Sequence, residues 1–259
     1  MWHFIRRVLK HSIQEVLKPL GYDLVKHDTG TRIVFQGRVV VVNHKGTSYR
    51  MFVENPKDEI QRLHLRGQLY EAEELEMIRS HFPAGGFFLD IGANVGNHSL
   101  FAVKSLGARQ VVAYEPASLQ HSILSINVAL NELSDRIRVH RLALSNRSGS
   151  GHIVTASISN IGGARLSSES SGELVQLVKG DEMLGDLPID FVKIDVEGHE
   201  IEVLEGLSAV ISKQQPVLFV EVDDENQAAF ETWMHHAGYQ IVDRYKRYST
   251  NENFLCKPI

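Results

Sequence analysis

The stretch Phe87-Phe-Leu-Asp-Ile-Gly-Ala-Asn-Val-Gly96 constrains this chain more than any other. An apolar run that ends in an acid, followed at once by Gly92 and Gly96 and then by a helical pattern, reads as a buried strand turning sharply into a helix. In an open α/β sheet such a turn is where a nucleotide-like ligand sits. The glycines are expected to let that ligand approach the backbone, and the helix beginning near Gly96 offers unpaired N–H groups. A dinucleotide-binding turn reads Gly-x-Gly-x-x-Gly. Here the spacing is Asp-x-Gly-x-Asn-x-Gly, with Asp90 ahead of the first glycine and Asn94 between the two. A carboxylate at the strand tip repels a pyrophosphate and suits a cationic amino-acid head group or a ribose hydroxyl, which points to S-adenosylmethionine (SAM) rather than NAD.

The 259 residues are 43% apolar, enough for one large core with a small accessory region. The expected division is an N-terminal helix and β extension over 1–69 and the main domain over 70–259. With 27 basic and 32 acidic residues the formal charge is -5, so no global basic field gathers nucleic acid and no nucleic-acid partner is expected. Cys256 is the lone cysteine; it has no disulfide partner and no histidines at metal-binding spacing. Residues 2–18 place Phe4, Ile5, Val8, Leu9, Ile13, Val16 and Leu17 at helical spacing among Arg6, Arg7, Lys10 and Lys18. This amphipathic basic helix is expected to pack on its own domain, with a weak peripheral contact to an anionic membrane as the other use of such a face. No apolar run is long enough for a secretory signal or a membrane span, so the chain reads as soluble and cytoplasmic.

Short β-branched runs at Arg32–Phe35, Arg38–Val42 and Tyr49–Val53, separated by glycines, read as antiparallel strands. A helix over Tyr70–His81 follows. Beyond Asp90 the chain alternates helix candidates (Gly96–Leu106, Ala117–Asn131, Gly198–Ser212, Asn226–Ala237) with strand candidates (Gln110–Tyr114, Ile137–Leu142, Asp190–Ile194, Pro216–Val222). That rhythm predicts an α/β fold, a doubly wound, mostly parallel sheet with ligands beyond the carboxyl ends of its strands. Between Ser145 and Pro188 the rhythm fails. The Ser- and Gly-rich piece from Ser157 to Gly172 is expected to be a mobile loop, either an acceptor-side lid or a solvated connector.

The strand tips carry the chemistry. Glu115 ends Gln110-Val-Val-Ala-Tyr-Glu, 25 residues after Asp90, about where the second strand of a nucleotide-binding unit presents an acid to both ribose hydroxyls. Phe191-Val-Lys-Ile-Asp-Val-Glu-Gly-His-Glu200 is again an apolar strand ending in acid, Asp195, followed by Glu197, Gly198 and His199. Asp195 and Asp90 are expected to face one crevice, where two acids repel unless a cationic ligand lies between them.

Leu89-Asp-Ile-Gly-Ala-Asn-Val-Gly96, Tyr114-Glu-Pro116, Ala143-Leu-Ser145 and Lys193-Ile-Asp-Val-Glu-Gly198, in that order, resemble the FkbM family of SAM-dependent methyltransferases. The Asn127-x-x-x-Asn131 spacing and Gln215-Pro-Val-Leu-Phe-Val-Glu221 are similar to family features as well. The resemblance runs from about Tyr70 to the C-terminus. It implies a Rossmann-like class I methyltransferase fold whose seven-stranded sheet has an antiparallel last strand, with Tyr239–Arg244 and Asn253–Lys257 as its final strands, and methyl transfer to oxygen on a sugar or polyketide. Gly92, Gly96 and Ala143 would then border the donor, Glu115 would hold its ribose, and Asp90, with Asn94, its methionine end. One departure is Lys179-Gly-Asp181, where the family often has Thr-Leu-Asp.

An acceptor alcohol needs a base. His199 and Asp195, with Glu197 beside them, are the catalytic candidates, and His98 is a further option. A metal held by Asp195, Asp223 and Asp224 could instead acidify the hydroxyl, but no dense ligand spacing supports it and no metal is expected. Arg244–Tyr248 reads as a solvated hairpin tip or as an anionic-glycan contact. The partner is a small-molecule or glycan acceptor, and the sequence is silent on oligomeric state. The competing readings are an NAD-dependent oxidoreductase and a non-catalytic SAM-binding protein.

Overall fold

The computed structural model describes residues 36–157, 159–167 and 171–259. The amphipathic helix read over 2–18, with its membrane contact, and the strand read at Arg32–Phe35 lie outside the described residues. Among the described residues no helix is long and apolar enough to cross a membrane.

The chain runs β1 (Arg38–His44), β2 (Thr47–Val53), α1 (Glu59–Leu65), α2 (Ala72–His81), β3 (Phe87–Ile91), α3 (Asn97–Leu106), β4 (Gln110–Tyr114), α4 (Ser118–Leu130), β5 (Ile137–His140) and β6 (Ala143–Ser145). It continues through β7 (Gly149–Ser157), β8 (Asn160–Ser167), β9 (Glu173–Lys179), α5 (Gly180–Leu184), β10 (Phe191–Ile194), α6 (Glu200–Gly206), α7 (Ser208–Gln214), β11 (Val217–Asp223), α8 (Gln227–Ala237), β12 (Tyr239–Tyr245) and β13 (Asn251–Pro258).

The expected seven-stranded, mostly parallel sheet is present, in the order β12-β13-β11-β10-β3-β4-β5. β13 pairs antiparallel with both of its neighbours, so the reversed strand comes last in the chain. The apolar runs serve both faces of the sheet. Phe87, Leu89, Ile91, Val192, Ile194, Leu218 and Val220 point to a layer containing Val203 and Leu204 of α6, Ile211 of α7 and Phe230 and Met234 of α8. The alternating positions Phe88, Val111, Ala113, Phe191 and Phe219 point to Leu75 and Ile78 of α2, Leu100 and Phe101 of α3, and Leu124 and Val128 of α4. Burial on both sides is why these strands read as continuous apolar runs rather than as alternating ones. The helix expected over Gly198–Ser212 is two, α6 and α7, meeting at the buried Leu207.

β1 and β2 form a hairpin closed by Lys45 and Gly46, both at positive φ, the two-residue turn whose twist matches its strands. Two asparagines one turn apart, Asn127 on α4 and Asn131 at its C-cap, bind the free edge of β2. Asn127 Oδ1 accepts from the Phe52 amide at 2.6 Å. Asn131 accepts from the Arg50 amide and donates to the Arg50 carbonyl at 2.7 Å. The Asn-x-x-x-Asn spacing is therefore a backbone clamp for the hairpin.

The loop expected from Ser157 to Gly172 is replaced, over its described residues, by strand. β7 and β8 pair antiparallel, β7 pairs β9, and with β6 they make a second sheet in the order β6-β9-β7-β8. Five of its apolar side chains, Ile153, Ala164, Leu166, Val175 and Leu177, share one cluster with Ala117 and Ala143, so a segment that looks solvated in composition still covers something. Asp181, kept where the flanking family residues are not, accepts from the Ala209 and Val210 amides and pins the start of α7.

Candidate active site

Two adjoining clefts open beyond the carboxyl ends of β3, β4 and β10. The first, of about 600 Å3, is mainly apolar, with Tyr114 at the end of β4, Leu142, and Ala143 and Leu144 of β6 on one side and Ile153, Ile161 and Leu166 of β7 and β8 as its roof. The second, of about 1080 Å3, is polar and is lined by Tyr70, Glu71, Asn97, His98, Arg165, Lys193, Glu221, Tyr248 and Asn251, among others. Gly92, Asn94, Gly162, Asp195 and Glu197 line both and form the seam.

Glu115 lines the apolar cleft. Its Oε2 accepts from the Asn94 amide at 2.8 Å and its Oε1 from the Ala117 amide at 2.9 Å. Burial pushes its carboxyl up to about 7 against those donors. Each oxygen keeps a lone pair, so the group can still accept from two hydroxyls. Asn94, at φ 49, sits in the left-handed region that asparagine tolerates, and its buried Oδ1 has no hydrogen-bond partner. Ala143 lies at the apolar cleft.

The turn glycines have a different cause from the one expected. Gly92 has φ 75, and a Cβ there would lie 1.7 Å from the Asp195 carbonyl oxygen. Gly96 has φ 89, and its Cβ would lie 2.4 Å from Leu124 Cδ1. Gly92 borders the clefts while letting the β10 tip cross; Gly96 borders neither and lets α4 pack against the start of α3.

Asp90 departs further from expectation. It is fully buried, borders neither cleft, and accepts from the Ser99 hydroxyl at 2.5 Å. The cation between the acids is Lys193, whose Nζ lies 3.0 Å from Asp195 Oδ2 and 3.7 Å from Asp90 Oδ1 and donates to the Gly92 carbonyl. Burial opposes the lysine's charge, but Asp195, Asp90 and Glu71 together hold its pKa above the ordinary value. The protein thus supplies internally the positive charge expected from a ligand, and Asp90 acts on the seam through Lys193.

Asp195, Glu197 and Glu221 bring one ligand atom each to within 4.8 Å of one another. Burial first and then Asp195 push the carboxyls of both glutamates upward. Asp223 and Asp224, the other oxygen donors considered with Asp195, are engaged elsewhere. Asp223 lies 3.0 Å from Arg165, and Asp224, half exposed, lies 2.8 Å from Lys246.

His199 borders the apolar cleft. Its Nε2 lies 3.0 Å from Ser145 Oγ, and burial lowers its pKa. His98 borders the polar cleft, where burial and then Lys193 hold it well below the ordinary histidine value. Of the Arg244–Tyr248 segment, Tyr248 reaches the polar cleft, its hydroxyl 3.1 Å from that of Tyr70, while Arg247 pairs with Glu73 and Glu74. Lys193, Glu71, Tyr70, Arg165 and Asn251 were not singled out from the sequence. Only Lys193 left a local signal, a charged residue between apolar neighbours in a strand covered on both faces.

A family model described as the methyltransferase FkbM domain matches residues 90–241. The hexuronic acid methyltransferase AglP of Haloferax volcanii is 30% identical over 180 residues, 66% of this chain and 69% of that protein. The methyltransferase sdnD of Sordaria araneosa is 27% identical over 164 residues, 49% of this chain and 62% of its own length, so this chain spans less than two thirds of that relative. Streptococcus pneumoniae Sp1610, described as a putative tRNA (m1A22) methyltransferase and solved in complex with SAM, superposes with a TM-score of 0.51 at 14% identity, over 72% of each chain, a likeness of fold.

Proposed function

The chain belongs to the FkbM methyltransferase family, and from that premise we propose that it moves the methyl group of SAM to a hydroxyl oxygen of a carbohydrate, glycan or natural-product acceptor, in the cytoplasm. The observation that carries this reading is the seam: an apolar cleft with a ribose-competent carboxylate, Glu115, joined through Asn94, Asp195 and Glu197 to a polar cleft large enough for a second substrate.

The residues fit the donor. Apolar walls at Leu142, Ala143 and Leu144 suit an adenine ring, Glu115 has lone pairs left for a diol, and the unpartnered Asn94 Oδ1 suits an ammonium group. Bound SAM supplies an electrophilic methyl group on a sulfonium. The protein's part is placement: holding donor and acceptor across the seam removes much of the entropic barrier to in-line attack. As the acceptor oxygen attacks, its proton passes to the carboxylates at the seam, Asp195 and Glu197, which line both clefts. His199 borders only the donor cleft and serves to position Ser145 and the loop after β10. The hexuronic acid named for the Haloferax relative supports a sugar-type acceptor here, and Tyr70, Tyr248 and Asn160 offer the aromatic and amide surface that such a ligand needs.

Calorimetric titration with SAM, S-adenosylhomocysteine and NAD tests the donor: binding of the first two is expected, and binding of NAD in their place overturns the reading. Transfer of labelled methyl into sugars, glycolipids and small natural products tests the acceptor. Asp195→Asn should abolish transfer and retain SAM binding; undiminished transfer removes Asp195 from the chemistry, and a wild-type chain that binds SAM without transferring its methyl group is a SAM-binding protein only.

A further inference from the structure

We propose that Asp195, Glu197 and Glu221 form a binding site for a hard divalent cation, Mg2+ or Mn2+, in the wall of the polar cleft. The three come from separate places, the tip of β10, the turn after it and the C-terminal half of β11, yet their oxygens lie within 4.8 Å of one another. A hard cation takes oxygen ligands at this density.

A second observation, on a neutral side chain, points the same way. Asn251 of β13 lines the same cleft, is 8% exposed, and has a buried Oδ1 without a hydrogen-bond partner. An unpartnered amide oxygen on a side chain that lines the cleft is a neutral ligand for a hard cation. The orientation of the amide is set by its other end, because Asn251 Nδ2 donates to Glu221 Oε1 at 2.8 Å. Asn253 Nδ2 donates to Glu221 Oε2 at 3.2 Å, so both oxygens of Glu221 are held by amides, the outer-shell support that fixes a ligating carboxylate. Glu197 is held at φ 52, a left-handed conformation uncommon for glutamate. The flanking cations reach only part of the group. Lys193 serves Asp195, and Arg165, half exposed, lies 3.6 Å from Glu197 but 3.0 Å from Asp223.

The inference deepens the O-methyltransferase reading and rests on it for its chemical consequence. An acceptor hydroxyl on the cation is a stronger acid than a free one. Its proton passes to a carboxylate oxygen of the cluster that is not bound to the cation, its oxygen forms the new C–O bond, the methyl–sulfur bond breaks with its electron pair going to sulfur, and S-adenosylhomocysteine leaves.

Cation binding is measured without turnover, by Mn2+ titration of the purified chain followed by electron paramagnetic resonance of the free ion. Saturable, submillimolar binding at one equivalent per chain is expected. Glu221→Gln and Glu197→Gln should each weaken it by at least about tenfold, and Asn251→Leu by about tenfold, the loss that follows removal of an outer-shell partner or more. Asp224→Asn, whose side chain is paired with Lys246, should leave binding unchanged; thermal melts show which variants are folded, and two glutamate positions keep the test standing if one is not. No saturable Mn2+ binding, or binding indifferent to both glutamate substitutions, overturns the site. SAM titrated in the presence of a chelator separates the two proposals. SAM bound while Mn2+ is not leaves the donor reading and removes the cation; Mn2+ bound while SAM is ignored does the reverse.

Discussion

Lys193→Met removes an ammonium that faces both Asp90 and Asp195, and its cost can be worked from the distances. Asp90 is completely buried, with Lys193 at 3.7 Å and the Ser99 hydroxyl as its remaining partner. Breaking a buried ion pair by removing one member costs about 3–5 kcal/mol, because the other charge stays buried without compensation. Asp195 adds less, since its side chain is 25% exposed and water screens it. With the Ser99 bond retained, the lower end applies, about 3 kcal/mol, which for a chain of this size is about 6–12 °C in Tm. Urea and thermal unfolding of the wild type, Lys193→Met, Asp90→Asn and the double variant measure it. The double variant should recover about 1–3 kcal/mol of the summed single losses, the coupling expected of directly interacting groups. A Lys193→Met loss within about 0.5 kcal/mol, the size of an ordinary surface change, or strict additivity in the double variant, refutes the role given to this lysine.

Glu115→Ala should weaken SAM binding by about 1–3 kcal/mol, the cost of unmaking hydrogen bonds to a charged group; an unchanged calorimetric dissociation constant removes Glu115 from the ribose site. Because burial raises the Glu115 carboxyl from its ordinary 4.5 to about 7, SAM binding should tighten as pH rises through neutrality and the acceptor carboxylate forms. The sign for stability is opposite: the folded chain keeps a proton that the unfolded chain releases, so this stabilisation is complete below about 4.5 and is lost as pH rises through about 7. Glu115→Gln should flatten both slopes, and parallel slopes in wild type and variant contradict the assignment. Asn127→Ala unpairs the buried Phe52 amide and the Val95 carbonyl, at about 1–3 kcal/mol for each group; hydrogen exchange should show the Phe52 amide losing protection, and an unchanged rate speaks against the clamp.

The strand tips were legible because local chemistry marks them. Asp90, Glu115 and Asp195 each end an apolar run, and a strand that stops at an acid before a glycine or proline announces its own turn. The same rule could not distinguish an acid that meets a ligand from one that meets a lysine, so Asp90 was read as a donor contact when its partners are Lys193 and Ser99. Composition also misled at Ser157–Gly172. A strand that packs on one side needs only every second residue to be apolar, as Ala164 and Leu166 are in β8. Glu71, Tyr70, Arg165 and Asn251 join the polar cleft from sites far apart in the chain, and no window of sequence carries a signal for that. Glu221 stands out in the sequence as the acid of Gln215-Pro-Val-Leu-Phe-Val-Glu221, yet its place beside Glu197 depends on the ordering of β11 next to β10, which pairing fixes and periodicity does not.

Ile161, at the far end of the roof, is fastened twice through its own peptide groups: its amide donates to Asp58 Oδ1 at 3.1 Å, and its carbonyl accepts from Gln120 Nε2 at 2.8 Å. A cover latched at its tip as well as paired along β7 does not swing like a door. Entry to the cleft beneath it then does not wait on a swing of that roof.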